Sequence, residues 1–246
     1  MHKVKGQDFY DQAGIYEQYI QHRSKSDNPN AVIEGPIIEE LIGDPAGMDS
    51  LDLGCGYGEM GQYLVDRGVK SYTGIDPSTK MIEAARKRTS AAGVIFETAS
   101  MESFNWTMNS YDLVMARLVF HYVEDLRMII SKIEQALKTK GVLIFSVEHP
   151  VMTAMMGKQT TGSKKEDWKV AQYFEAGPRD HQWMGGTVIK YHRTIATYFQ
   201  LLTAAGFRVT HLREGEPEAI HFQEQSEYER RKNLPRYLIF RAVKAR

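Results

Sequence analysis

Residues Leu51 to Gly58, reading Leu-Asp-Leu-Gly-Cys-Gly-Tyr-Gly, constrain this chain more than any other stretch. A short apolar run carrying one acid, Asp52, breaks into three alternating glycines and then into helix-forming sequence. Glycine reaches positive φ without strain and has no Cβ, so such a turn lets a ligand lie almost against the backbone. A second apolar run, Tyr72-Thr73-Gly74-Ile75-Asp76, ends in another acid. In strand–glycine turn–helix units, an acid at the end of the next strand is placed to take a pair of ribose hydroxyls. The acid before the turn, Asp52, would meet a positive group on the same ligand.

A cationic amine joined to a nucleoside describes S-adenosylmethionine (SAM). The competing reading is a nicotinamide dehydrogenase, because Gly56-Tyr57-Gly58-Glu59-Met60-Gly61 fits G-x-G-x-x-G formally. That pattern alone is weak. Asp52 opposes it, since a carboxylate beside a pyrophosphate is repelled and one beside an ammonium is attracted. A protein that binds SAM without catalysing transfer is the remaining alternative.

The rest of the chain supplies a frame for this turn. Strands are predicted over 48–53, 71–75, 94–97, 111–116 and 142–147, alternating with helices over 59–66 and 79–89 and one beginning near Asp125. In that last helix Leu126, Ile129, Ile130, Ile133 and Leu137 make one apolar face, with Asp125 as the N-cap. Such alternation implies a parallel sheet covered by helices on both faces, with ligands at the carboxyl ends of the strands. That rule selects Asp52, Asp76, Ser100, Arg117 and His149. Before the alternation, Phe9, Tyr10, Ile15, Tyr16, Tyr19 and Ile20 recur at helical intervals, and a second helix is expected over 31–42. After it, 150–190 is rich in aromatics and glycines, and reads as a lid over the strand ends. A helix over 194–205, stopped by Gly206, leads to two strands over 207–212 and 237–243 that pair antiparallel.

Composition narrows the partners. With 42% hydrophobic residues in 246, a core can form without disulfides or metal. The 31 basic and 31 acidic side chains balance, and no basic stripe suggests a nucleic-acid partner. Arg230-Arg231-Lys232 reads as a solvated loop. The single cysteine, Cys55, excludes an internal disulfide and multi-cysteine metal or redox motifs, and reads as a small spacer in the turn. His2, His22, His181, His211 and His221 show no ligand-like pairing, so no metal is expected. No apolar leader or 18-residue apolar run is present, so neither a membrane nor an export route is expected and the protein reads as cytoplasmic. Oligomeric state is not legible.

From Asp52 to His149 the sequence closely resembles the class I SAM-dependent methyltransferases, in their bacterial small-molecule branch. The resemblance implies a single Rossmann-like domain over 1–246, doubly wound, with a mostly parallel seven-stranded sheet and an antiparallel last strand. Its parts would be a helical cap (1–45), a SAM-binding core (46–149), a substrate lid (150–190) and a C-terminal helix with a strand pair (191–246). It implies that Asp52, Gly54, Cys55, Gly56 and Gly58 wrap the methionine part of SAM, that Asp76 holds the ribose, and that Pro77 and Met81 flank the adenine. Ser100 stands where this family often has an acid facing the adenine amine, which leaves Met101 and Glu102 as neighbours for that task. The runs Ser146–Pro150, Tyr173–Arg179 and Lys190–Thr194 look like a group of bacterial proteins of this class.

Outside the core motif the candidates rest on residue type and position. Tyr19 and Arg23 are expected to close on the cofactor, and Tyr10 and Tyr16 to wall off the substrate, since an aromatic face attracts a sulfonium. His149, at a strand end, is the candidate for orienting or deprotonating the acceptor, with His192 in support; both also read as packing histidines. His121 either braces its loop or faces the substrate. Trp168, Tyr173, Trp183 and Tyr191 would make the lid select a flat, neutral or weakly polar acceptor, with methyl transfer to its nitrogen or oxygen.

Overall fold

The computed structural model describes residues 3–4, 9–12, 14–25, 27–154 and 169–245. A two-residue strand β1 (Lys3–Val4) precedes helix α1 (Ile15–Arg23), a π-helical turn (Asn30–Glu34) and helix α2 (Gly35–Ile42). Strand β2 (Asp49–Leu53) then leads into α3 (Glu59–Val65), β3 (Ser71–Asp76) into α4 (Thr79–Arg88), and β4 (Val94–Thr98) towards β5 (Tyr111–Arg117). Helix α5 (Leu126–Ala136) runs directly into β6 (Leu137–Glu148), followed by the short α6 (Pro150–Thr153). A hairpin of β7 (Gly177–Trp183) and β8 (Gly186–His192), helix α7 (Ile195–Ala204), β9 (Phe207–Glu214), α8 (Gln225–Lys232) and β10 (Tyr237–Lys244) complete the chain.

Local chemistry sets the helix starts. Ser78, Asp125 and Thr194 each accept the N–H three residues on (Met81 at 3.2 Å, Met128 at 3.0 Å, Thr197 at 3.1 Å), satisfying donors that a helix N-terminus leaves free. Asp11 adds a cap from outside, accepting Thr79 N–H at 3.2 Å, and so ties the N-terminal segment to the start of α4.

The main sheet has the strand order β4-β3-β2-β5-β6-β10-β9, parallel from β4 through β6, with β10 antiparallel to both neighbours. Helices cover both faces. On one, Leu126, Ile129, Ile130 and Ile133 of α5 pack with Tyr198 and Leu202 of α7 against Val114, Phe145 and Phe240. On the other, Ile38, Leu41, Met60, Leu64 and Ile82 pack against Tyr72, Met115, Ile144 and Ile239. The reversal of strand order falls between β3–β2 and β5, beside the glycine turn, where such sheets bind ligands. Among the described residues, no helix is long and apolar enough to cross a membrane.

Three expectations need correction. The strand placed at 142–147 begins at Leu137, which pairs with Tyr111 instead of extending the helical face; Lys140, at φ 66°, and Gly141 let the chain bend without leaving the strand. Arg230 to Lys232 close helix α8 and are not a loop. The segment taken as an irregular lid contains a regular hairpin, turned by Met184 and Gly185, both at positive φ as a two-residue hairpin turn requires. The hairpin and β1 form a second, three-stranded sheet. Phe9, Ile15 and Val188 make a third core beneath it, with Tyr10, Tyr122, Trp183 and Met184 at its margin. Trp168 lies outside the described residues.

Because Phe9 is fully buried in this small core, Phe9→Ala is expected to cost about 3–5 kcal/mol. Hydrogen exchange should quicken first at β8 amides, with β2 and β3 retaining their protection.

Candidate active site

The glycine turn is held from both sides. Gly54 and Cys55 N–H both donate to the Ile75 carbonyl, at 2.8 and 2.9 Å, and Gly56 N–H donates to Asp76 Oδ2 at 3.1 Å. Gly54, at φ 73°, presses against Val119, whose Cγ1 would lie 2.4 Å from any added Cβ. Only glycine fits there. Asp76 also accepts Ser78 N–H at 2.9 Å, so its carboxylate is fixed in place with lone pairs left over.

Asp52 is buried, and Tyr72 OH donates to its Oδ2 at 2.8 Å, while its Oδ1 has no partner among the described residues. Burial raises both Asp52 and Asp76 to about 6, against the pull of the hydrogen bonds each accepts. Two carboxylates are therefore held where a ligand must supply hydrogens or positive charge.

Both line one cavity of about 670 Å³, ample for a nucleoside cofactor and a small second molecule. Pro77, Met81, Ser100, Met101 and Glu102 line it near Asp76, and Tyr19, Arg23 and Arg117 line it as well. The two arginines are already engaged. Arg23 pairs with Glu59 and its Nε–H reaches Tyr57 OH at 3.3 Å, while Arg117 forms a two-point pair with the fully buried Glu34. Gly58 caps α3 at φ 78° and shapes the turn from behind, with Ala85 3.0 Å from where a Cβ would sit.

Tyr10 connects the two halves of the cavity. It lies within the field of Asp76 and its hydroxyl meets Tyr122 OH at 3.4 Å. Beyond Tyr122 is Lys190, buried in β8, whose Nζ donates to Glu148 Oε1 at 2.6 Å and faces the rings of Tyr122 and Trp183 at 5.7 and 6.0 Å. Burial opposes the Glu148 charge, but the ammonium of Lys190 outweighs it and holds this carboxyl well below its ordinary range. Its Oε2 is sealed from bulk water and has no hydrogen-bond partner among the described residues. His121 Nδ1 accepts Glu148 N–H at 3.4 Å, leaving the proton on Nε2, and burial pushes the ring down to about 3, so it is neutral.

The structure does not bring His149 and His192 to this cavity. His149 Nδ1 accepts Val151 N–H at 3.1 Å, capping α6, and its Nε2–H donates to Glu214 at 2.8 Å. His192 Nε2–H donates to the Tyr173 carbonyl at 2.8 Å, so its Nδ1 accepts the Thr153 hydroxyl at 2.6 Å. Neither ring has a nitrogen to spare. Tyr16 lines a shallow neighbouring cleft and Tyr173 packs on His192. His121, Tyr10, Trp183 and Tyr191 do line the cavity. The strand-end rule found the right strand but missed by one residue, because successive side chains alternate across a sheet and Glu148, not His149, faces the cavity. Glu34, Lys190, Arg236 and Tyr237 had no sequence signal beyond their residue type.

A family model described as a methyltransferase domain matches residues 51–145. An uncharacterized protein of Haemophilus influenzae is 30% identical over 215 residues, which span 83% of this chain and 85% of that one. A Listeria monocytogenes structure provisionally classed as an S-adenosylmethionine dependent methyltransferase is 32% identical, with a TM-score of 0.79 over 86% of this chain and 96% of that one. The chain belongs to the SAM-dependent methyltransferases. A second such methyltransferase structure, from Mesorhizobium loti, is 27% identical with a TM-score of 0.76, covering 90% of this chain and 99% of that one. The dehydrogenase reading is thereby set aside, and SAM is the cofactor.

The methyltransferase's own residues fit SAM. The orphaned Asp52 Oδ1 is an acceptor waiting for an ammonium, Asp76 has lone pairs for two hydroxyls, and a Cβ on Gly56 would meet only open space beside the turn. Because Asp52 and Asp76 titrate near 6 and the ligand's ammonium and hydroxyls prefer them ionised, binding should strengthen as pH rises through that value. Calorimetry with S-adenosylhomocysteine is expected to show weaker binding at pH 5 than at pH 7.5. The same two groups have folded values above their unfolded ones, so their contribution to ligand-free stability is full below about 4 and lost as pH rises through about 6.

His149→Ala should lower Tm by uncapping α6 and leave S-adenosylhomocysteine affinity within about twofold, since a lost cap costs about 1 kcal/mol of stability and touches no ligand. Calorimetry and a melting curve on the same variant separate the two effects.

Proposed function

We propose that this methyltransferase transfers a methyl group to a nitrogen or oxygen of a small, planar acceptor bound among Tyr10, Tyr122, Trp183 and Tyr237. The observation that carries the reading is Glu148: an ionised carboxylate on the cavity wall with one oxygen unpartnered, surrounded by aromatic rings. An unmet acceptor in such a place is costly, about 1–3 kcal/mol or more for a charged group. A hydrogen on the methyl-accepting nitrogen or oxygen would satisfy it. An acceptor whose reacting atom is itself an anion would be repelled by the same charge.

SAM supplies an electrophilic methyl on a sulfonium, and the protein's part is alignment. Tyr10, Tyr122 and Trp183 hold a flat ring by its faces, and both tyrosines stay protonated because burial raises them. Lys190 fixes Glu148 Oε1, so Oε2 has one direction in which to hold the acceptor's hydrogen. Glu148 is a weak base, held far below neutrality, and so orients the nucleophile and receives its proton only as the new bond forms. Alignment and exclusion of water can supply roughly 7–11 kcal/mol, against about 3–5 kcal/mol for a general base. A weak base therefore suffices. The N-terminal segment and the β7–β8 hairpin act as the lid.

Transfer of labelled methyl from SAM into a panel of aromatic amines, N-heterocycles and phenols tests the reading; binding of SAM with no turnover on any acceptor class would favour the non-catalytic alternative. With an acceptor in hand, Glu148→Gln is expected to lower kcat/KM by about 10²–10⁴-fold while leaving S-adenosylhomocysteine affinity unchanged. It strands Lys190 in a buried site, at a cost of about 3–5 kcal/mol. The Glu148→Gln, Lys190→Met pair should recover most of that stability and none of the activity. Recovered turnover in the pair would exclude Glu148 from the chemistry.

A further inference from the structure

The acceptor end of the cavity holds one cation that makes no ion pair among the described residues. Lys190 is answered by Glu148. Arg236 is not answered: it lines the cavity, donates Nε–H to Tyr237 OH at 3.1 Å, and makes no ion pair among the described residues. Arg231, in the last turn of α8, feels the charge of Arg236 but is not part of the cavity lining. Its nearest carboxylate oxygen, on Glu227, is 4.0 Å away and is taken by Arg230 at 2.7 Å. The Arg231 Nε is sealed from water with no partner. Burial, then Arg236 and Arg230, weaken Arg231's hold on its proton, to about 10. Two guanidiniums thus sit in each other's field, one with no ion pair among the described residues and the other with a long, shared one. The protein alone gains nothing from that arrangement, because like charges repel and a half-buried cation loses hydration.

We propose that Arg236, with the charge of Arg231 adding to its field, forms a subsite for an anionic group, a phosphate monoester or a carboxylate, carried by the methyl acceptor. The proposal rests on the methyltransferase reading and adds to it the class of acceptor: a molecule with a hydrogen-bearing nitrogen or oxygen at one end and an oxyanion at the other. Guanidinium suits that group, since its fork of N–H donors matches two oxygens of a phosphate or carboxylate.

Position assigns the pair to the acceptor and not to the cofactor. Tyr237 is the cross-strand partner of Glu148, and the Arg236 carbonyl accepts His149 N–H at 2.9 Å, so Arg236 starts beside the end of β6. Its charge is felt by Lys190 and by His22, whose ring meets Trp183 edge-on at 5.7 Å. The charges around Asp52 come from Arg117 and Glu34 instead. An oxyanion at Arg236 and a donor hydrogen at Glu148 would therefore be read by adjacent strands.

The test uses full-length protein saturated with S-adenosylhomocysteine and titrated with sodium phosphate or sodium malonate, with ionic strength held constant by chloride. A saturable rise in Tm with one of these anions over chloride is expected, phosphate or malonate indicating which oxyanion the subsite prefers. Arg236→Gln should weaken that response about tenfold or more, the scale of one lost charge-assisted hydrogen bond, and Arg231→Gln should weaken it by less. S-adenosylhomocysteine affinity should stay within about twofold. Ligand-free Arg231→Gln should melt higher than the parent, because a repulsion is removed; a purely structural arginine would give the opposite shift. The proposal is overturned if neither anion exceeds chloride, if the Arg236→Gln response matches the parent, or if Arg236→Gln instead loses S-adenosylhomocysteine. Failure of the parent to bind S-adenosylhomocysteine at all would overturn the methyltransferase reading itself.

Discussion

Two backbone N–H groups sharing one carbonyl are the constraint on which the site depends. Gly54 and Cys55 both point their hydrogens at Ile75 O, which locks the glycine turn to the end of the neighbouring strand. From that lock follow the depth of Asp52, the contact of Gly54 with Val119, and the placement of Asp76 between the turn and the start of α4. The lock leaves no room for a side chain at Gly54 and keeps Asp52 buried. The two carboxylates are therefore held in surroundings that favour their neutral forms, and a ligand with an ammonium and hydroxyls restores their charge.

The donor half of the molecule was legible because its constraints are local. A positive-φ turn demands glycine, a strand end demands an acid at a fixed offset, and α5 shows its buried face as a spacing of Leu and Ile. The same reasoning lost track where geometry is decided at a distance. Leu137 looked like one more helical apolar residue, but its partner Tyr111 draws it into the sheet. Glu148 and His149 are adjacent in sequence, and only the pleat decides which faces inward. Residues 150–190 read as a lid because a long stretch of aromatics and glycines breaks the alternation; the sheet that holds the 177–192 hairpin depends on β1 and Phe9, which are far away in the chain.

The charged part of the cavity wall is built on a different principle. Glu34 with Arg117, Glu59 with Arg23, and Glu148 with Lys190 are charge pairs at the cavity wall, each joining residues distant in sequence. A buried pair adds little net stability but penalises any arrangement that separates its members. Here the pairs fix where the N-terminal helices and the hairpin sit relative to the sheet. The arginines near Tyr237 break this pattern, and the break is what makes them informative.

The pairing of Lys190 with Glu148 also separates two kinds of inheritance within one fold. One wall of the acceptor chamber belongs to the sheet, while the other is lent by a small ribbon anchored through Phe9. Exchanging that ribbon would alter what is methylated without disturbing how the donor is gripped, so divergence among relatives should concentrate in the ribbon and spare the glycine turn.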